Sequence, residues 1–470
     1  MINPNLLLGV LMPHPPLLIP EIGGEELSRI SSTQTAMQAL STEIARLTPD
    51  VVVIISPHGP MFDDAVAVMG GDPLRGHLTE FGVGRRFVVG NDGALVDALL
   101  EAAETRDVPV YQIDDDIKKE FTIDMELDYG ATVPYFHIKE AGYPGPLLHL
   151  TPGGLPPETL YAAGQCAGAA LLATGRRAVV IASGDNSHAL ADDAPAGYRE
   201  EGPAFDRFLQ RALAESDWLA LLTQDPEFLE HAAEDTVRSC ALLLGIFDGM
   251  ALRGEVLSHE GPFGVGYTVA RFTPTGEETE SLLPVLLRHR KAELTRIRAE
   301  ESLHVRLARA ALEAYVRDET WSEPPTPLPA ELRGRAGCFV SIKENGVLRG
   351  CIGTAAPTRA NLAEEIIQNA IHAGTEDDRF FPLEEDELEG LVYTVDVLGE
   401  EEPVHNLADL DPRVYGLIVI QGQKNALLLP DLSGVDSVEQ QIAYTKEKAG
   451  IAFEDEEGVE YYRFRVERYK

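Results

Sequence analysis

Cysteine is scarce in this chain, positive charge is far scarcer than negative, and no apolar run is long. The four cysteines among 470 residues, Cys166, Cys240, Cys338 and Cys351, show neither the paired spacing of a structural zinc site nor the density of a disulfide-stapled secreted scaffold. Reduced thiols in a cytoplasmic protein are the expectation. Lys and Arg number 39 against 77 Asp and Glu, a formal net charge of −38. A surface of that sign repels phosphate backbones and anionic bilayers, so no nucleic acid and no membrane is expected as a partner. No basic stretch leads into an apolar segment with a small-residue cleavage site near Met1. No run approaches the roughly 20 residues that span a bilayer, so neither export nor insertion is predicted.

The chain does have the means to bury a core. A hydrophobic fraction of 44% and a charged fraction of 25% are those of a soluble globular protein, and the length predicts two or three domains. Three apolar runs each end in a histidine: Leu7 to His14, Val51 to His58 and Val179 to His188. Short runs of this kind, bounded by Pro or Gly, predict buried strands of a parallel sheet. Such sheets hold ligands just beyond the carboxyl ends of their strands. Three imidazoles at equivalent strand ends are therefore expected to share one crevice, as a metal or acid/base site.

Helical patterns at Glu25 to Leu47, Gly93 to Thr105 and Pro157 to Thr174 alternate with the strands, which predicts an α/β domain with a mainly parallel central sheet flanked by helices. Further helices are expected at Glu201 to Ser216, Trp218 to Leu222 and Ser239 to Phe247, with a closing strand at Gly264 to Phe272. The polar stretch Thr273 to Glu280 marks the expected domain boundary. A first domain over residues 1–275, a linker and start of a connecting helix over 276–297, and a smaller α+β domain over 298–470 follow. A long helical region is predicted from Ser281 to Val316. In the second domain, two strands flanking Asn345-Gly346 predict a tight hairpin.

His14 precedes Pro15 and Pro16, and His58 follows Pro57, so each imidazole is presented on a stiff extended turn, as a metal ligand requires. In Ser183-Gly184-Asp185-Asn186-Ser187-His188, small residues admit a ligand, Asp185 can orient an imidazole, and His188 is a ligand or a general acid/base. Two histidines at an octahedral iron site need a carboxylate to complete a facial triad. Glu234, just before a helical apolar run, is the candidate, with helix capping as its other reading. Cys240 is a soft alternative ligand or a small core residue.

Together with Tyr198-Arg199-Glu200-Glu201-Gly202-Pro203-Ala204-Phe205-Asp206 and Gly264-Val265-Gly266-Tyr267, these segments resemble the class III extradiol ring-cleavage dioxygenases (LigB-like) and their Memo relatives over nearly all of residues 5–272. The resemblance implies ferrous iron held by His14, His58 and Glu234, and His188 as the acid/base; zinc, from the rival hydrolase reading below, is the alternative metal. It also implies a small aromatic substrate, catecholic or aminophenolic, opened with O₂. One departure is Asp128-Tyr129-Gly130, where many ring-cleaving members carry a second-sphere histidine in an Asp-His-Gly context. Tyr129 is then a hydrogen-bond donor at the site or a wall residue. Memo-type proteins place a cysteine near the metal, and Cys240 falls in a compatible place. A non-catalytic metal-binding protein and a zinc hydrolase are the rival expectations.

Leu348-Arg349-Gly350-Cys351-Ile352-Gly353-Thr354, with Pro430-Asp431-Leu432-Ser433-Gly434-Val435-Asp436-Ser437 and a helix from Val438 to Ala449, resembles the AMMECR family over roughly residues 298–470. That family accompanies a Memo-like protein and a radical S-adenosylmethionine protein, so the resemblance implies such a protein as a partner. Related folds often pair, which makes a homo-oligomer compatible with the sequence. Cys351 beside Arg349 is either a reactive thiol of lowered pKa or inert core. His372 is expected on a helix surface.

Overall fold

Strands that are apolar at every position must be buried on both faces, and the central strands of this protein are of that kind. The computed structural model describes residues 2–114, 117, 119, 123, 125–432, 435, 437–455 and 457–470. It divides into two compact units, Met1–Lys291 and Ala292–Lys470.

The first unit is built on an eight-stranded sheet in the spatial order Met250–Glu260, Tyr267–Glu278, Leu6–Met12, Ala178–Ser183, Val51–Ile55, Leu147–Thr151, Val66–Met69, Val110–Ile113. Its middle is parallel. Ala178–Ser183 lies between Leu6–Met12 and Val51–Ile55, and Ala182 pairs with both Leu11 and Ile55. The three histidine-terminated strands are thus immediate neighbours whose carboxyl ends finish level. Side chains alternate between two cores. Leu8, Val10, Val52, Ile54, Val179 and Ile181 pack on the side of helices Ser31–Leu47 and Tyr129–Glu140. Leu11, Val53, Ile55 and Val180 face Gly93–Thr105, Pro157–Thr174 and Val237–Ile246.

Two of those helices approach closely because glycines face each other. A Cβ on Gly245 would lie 2.0 Å from the Tyr161 carbonyl oxygen, and one on Gly164 would lie 2.2 Å from that of Leu242. This contact fixes Val237–Ile246, whose leading loop supplies part of the site. A small sheet of Arg86–Val89, Leu74–His77 and Glu126–Leu127 delivers the chain to Asp128 and Tyr129.

The second unit carries two four-stranded antiparallel sheets. Helices Leu303–Asp318 and Leu362–Thr375 share a core with the first sheet, and Val438–Ala449 shares one with the second. Asn345 and Gly346 have φ of 54° and 86°, the left-handed pair that a two-residue hairpin turn demands. Ser433, Gly434 and Asp436 of the second motif lie outside the described residues.

Several boundaries differ from the sequence reading for local reasons. The helix expected from Glu25 begins at Ser31, where Glu260 accepts the Ser32 and Thr33 N–H groups, and Gly24–Ile30 forms a 3₁₀ turn. The polar stretch Thr273 to Glu280 continues as strand through Glu278, paired with Met250–Glu260. The expected long helix is two, Leu283–Glu300 and Leu303–Asp318, because the Ser302 hydroxyl caps the second by accepting the Val305 N–H at 3.2 Å. Gly245→Ala is expected to destabilise the protein by roughly 1–3 kcal/mol through overpacking, read as a lower midpoint in thermal unfolding. An unchanged midpoint would mean that the two helices can move apart at no cost.

Candidate metal centre

His14 and His58 stand two and three residues past Met12 and Ile55, the last residues of their strands. Their Nε2 atoms are 3.0 Å apart. The third member of the cluster comes from the loop before helix Val237–Ile246: Asp235 Oδ2 is 3.5 Å from His14 Nε2 and 3.3 Å from His58 Nε2. The donor atoms of His14, His58 and Asp235 all lie within 4.8 Å of one another. Two imidazoles and a carboxylate on one side of a site form a facial set suited to a divalent transition metal.

Each donor is aimed by a second contact. The Ser183 hydroxyl donates to the Gly130 carbonyl at 2.6 Å, so its lone pair receives His14 Nδ1–H at 2.9 Å. That leaves His14 Nε2 to face the cluster, the usual arrangement of a ligating histidine. Asp235 Oδ1 accepts the Asp185 N–H at 2.6 Å, which turns Oδ2 toward the histidines. Asp185 Oδ1 accepts the His14 N–H at 2.9 Å, so Asp185 anchors the His14 turn, and its Oδ2 is 3.9 Å from His14 Nε2. Tyr129 stacks on the His58 ring, with centroids 4.4 Å apart, and its phenol oxygen is 2.9 Å from His58 Nε2. Asp128 caps the helix that begins at Tyr129, accepting the Ala131 N–H, and also takes the Ser56 hydroxyl.

Glu234 is turned elsewhere. Ala233 adopts a left-handed φ of 51°, after which Glu234 Oε2 accepts the Thr236 and Val237 N–H groups at 2.7 and 2.8 Å. Its carboxylate therefore caps the helix, and the neighbouring Asp235 is the acid beside the histidines. Cys240 is buried inside helix Val237–Ile246, where burial and then Glu234 push its thiol pKa up. His188 donates Nδ1–H to the Ala233 carbonyl at 2.7 Å, which leaves its Nε2 as an acceptor. Its loop is clamped by Asp206, which takes the Ser187 N–H, and by Asn186, which donates to Thr268. Sequence reasoning named Ser183 and Asp206 within motifs without giving either a role, and it missed Asp235, whose signal was its adjacency to Glu234.

Electrostatics bind the cluster to a positive charge. Burial disfavours the His14 imidazolium, but Asp185 and Asp235 outweigh it and raise its pKa to about 9. Burial also works against the Asp235 carboxylate, and His14 and His58 overcome it, holding the acid well below the usual range. Burial leaves Asp185 raised despite His14. The His14 side chain is 1% exposed, against 28% for His58 and 18% for Asp235, so the cluster opens to solvent on the His58 side. Phe81 packs edge-on to Tyr129 at 5.8 Å.

In the second unit, Arg349 pairs with Glu387 through two bonds of 2.7 and 3.1 Å. The Cys351 thiol receives the Ser341 hydroxyl at 3.2 Å, and burial pushes its pKa up, the behaviour of an inert thiol. His372 is half-buried on helix Leu362–Thr375, with Trp321 edge-on at 6.1 Å.

A parallel sheet with two histidines and a carboxylate gathered at its carboxyl edge, followed by an antiparallel unit, defines a two-domain protein of the ring-opening dioxygenase fold. Residues 8–270 match the family described as the catalytic LigB subunit of aromatic ring-opening dioxygenase, and residues 305–469 match AMMECR1. The chain belongs to the LigB family and carries an AMMECR1 domain after it. Protein CA_C1420 of Clostridium acetobutylicum is 37% identical over 465 residues, 98% of either chain. A Thermotoga maritima protein is 51% identical over 172 residues, 36% of this chain and 98% of its own. Among solved structures, protein PH0010 from Pyrococcus horikoshii is 33% identical, covering 36% of this chain and 90% of its own with a TM-score of 0.34. Protein JW3007 from Escherichia coli K12 is 16% identical over 57% of this chain and 99% of its own, with a TM-score of 0.40. Among the described residues, no helix is long and apolar enough to cross a membrane.

Asp235→Asn is expected to weaken divalent-metal binding by more than about 100-fold, whereas Glu234→Gln leaves it within about threefold, because an amide oxygen still accepts the capping bonds. Titration calorimetry with both variants checks this; the reverse order would make Glu234 the ligand. The proton on His14 must leave before the ring ligates, and its pKa is about 9. Metal affinity is therefore expected to rise roughly tenfold per pH unit below that value and to level off above it. Affinity that is flat between pH 6 and pH 9 would contradict the charge assignment.

Proposed function

We propose that the first unit is a non-haem iron(II)-dependent oxidoreductase that opens a catecholic or aminophenolic ring with O₂. The observation that carries this reading is the convergence of His14, His58 and Asp235 within 4.8 Å, in a chain whose residues 8–270 match the ring-opening dioxygenase family. A facial set of three ligands leaves positions for a chelating substrate and for O₂, and bound iron(II) would supply the charge neutralisation and the one-electron chemistry.

The protein's own groups account for the rest. His188, fixed as the Nδ1–H tautomer by the Ala233 carbonyl, presents Nε2 as a general base that takes a proton from a substrate hydroxyl and later returns it. Asp185 and Ser183 hold His14 in place, so that the cluster need not reorganise as charge develops. Tyr129 and Phe81 offer an aromatic wall on the open side of the cluster, which suits a planar ring substrate.

The test is oxygen uptake by the full-length protein, reconstituted anaerobically with iron(II) and offered a panel of catechols and aminophenols. A yellow ring-opened product is expected, and His188→Gln should keep its iron while losing roughly 10²–10⁴ in kcat. Turnover with zinc and without O₂ would instead select a hydrolase, and metal binding with no turnover of any panel member would select a binding protein.

A further inference from the structure

Three polar atoms crowd one ring nitrogen. His58 Nε2 has His14 Nε2 at 3.0 Å, the Tyr129 phenol oxygen at 2.9 Å and Asp235 Oδ2 at 3.3 Å. An imidazole nitrogen has either one in-plane lone pair or one N–H, so it supports one well-directed hydrogen bond and not three. A shared ion accounts for the spacing. Donor atoms about 2.1 Å from one cation are about 3.0 Å apart at a right angle and about 3.4 Å apart at the tetrahedral angle. The Tyr129 oxygen stands at this spacing from His58 as well as the His14 and Asp235 donors do.

We propose that the Tyr129 phenol oxygen is a fourth protein ligand of the cation held by His14, His58 and Asp235. The inference rests on the metal-centre reading of those three residues and adds a ligand to it. Tyr129 is brought beside His58 by its own helix. It is the first residue of helix Tyr129–Glu140, capped by Asp128, and its ring lies between the stacked His58 and the edge of Phe81. Gly130 keeps the turn tight: a Cβ there would lie 2.3 Å from Ser56 Oγ and 3.3 Å from the His58 ring. On ligation the phenol O–H bond breaks, its proton leaves to solvent, and an oxygen lone pair forms the new bond with no change of oxidation state. A chelating diol that needs this position would displace the phenolate and give it one hydroxyl proton, which restores the phenol. Tyr129 thereby guards the centre until a chelating substrate arrives.

Full-length protein reconstituted with iron(III) citrate and freed of excess iron is expected to show a phenolate-to-iron(III) charge-transfer band in the visible. Resonance Raman excited into that band should enhance tyrosinate vibrations. Tyr129→Phe should keep its iron and lose the band, while His14→Ala should lose both. Iron retained by the wild-type protein without the band, or a band that survives in Tyr129→Phe, overturns the tyrosine ligand and leaves the three-residue centre standing. A wild-type protein that retains no iron overturns the centre and the tyrosine together.

Discussion

The arrangement of the first unit depends on one electrostatic demand: a positive charge must sit among His14, His58 and Asp235. Two ring nitrogens 3.0 Å apart repel through their lone pairs unless a proton or a cation lies between them. The carboxylates of Asp235 and Asp185 supply the compensating negative charge in a site where His14 is wholly buried. Without metal, a proton on His14 meets the demand. With metal, the same carboxylates make the exchange favourable, because the ion takes over the charge that the proton carried.

Meeting that demand requires parts far apart in the chain. The parallel pairing that brings Met12, Ser183 and Ile55 to one level sets the two histidine turns side by side. The glycine contact between helices Pro157–Thr174 and Val237–Ile246 sets where the Asp235 loop begins. Helix Tyr129–Glu140 enters from the opposite face of the sheet and sets Tyr129 against the His58 ring. The Ser183 hydroxyl joins these parts, accepting from His14 while it donates to Gly130. A change at any of these contacts acts on the site through backbone position, without touching a ligand.

Much of this was legible in the sequence because burial leaves a periodic trace. The uniformly apolar runs before His14, His58 and His188 read as central parallel strands, and helices Gly93–Thr105, Pro157–Thr174 and Val438–Ala449 read to their end residues because Pro, Gly or a capping Ser marks them. The choice between Glu234 and Asp235 was not legible. It depends on the left-handed turn at Ala233, a residue type that gives no sign of positive φ, and on which of two adjacent acids reaches the helix N–H groups. The strand through Thr273–Glu278 was hidden for a related reason: it is an exposed antiparallel extension that needs no apolar alternation to pair with Met250–Glu260. The split of the long helix at Ser302 had a legible signal, a capping serine, masked by strong helix formers on both sides.

The claim that everything else serves is that His14, His58 and Asp235 grip one cation. Anomalous diffraction from crystals of the full-length protein grown with iron(II) or cobalt(II) under anaerobic conditions tests it most directly. The account predicts a single strong peak about 2.1 Å from His14 Nε2, His58 Nε2 and Asp235 Oδ2. A peak bound by Glu234 in place of Asp235, or no peak at this edge of the sheet, would contradict it.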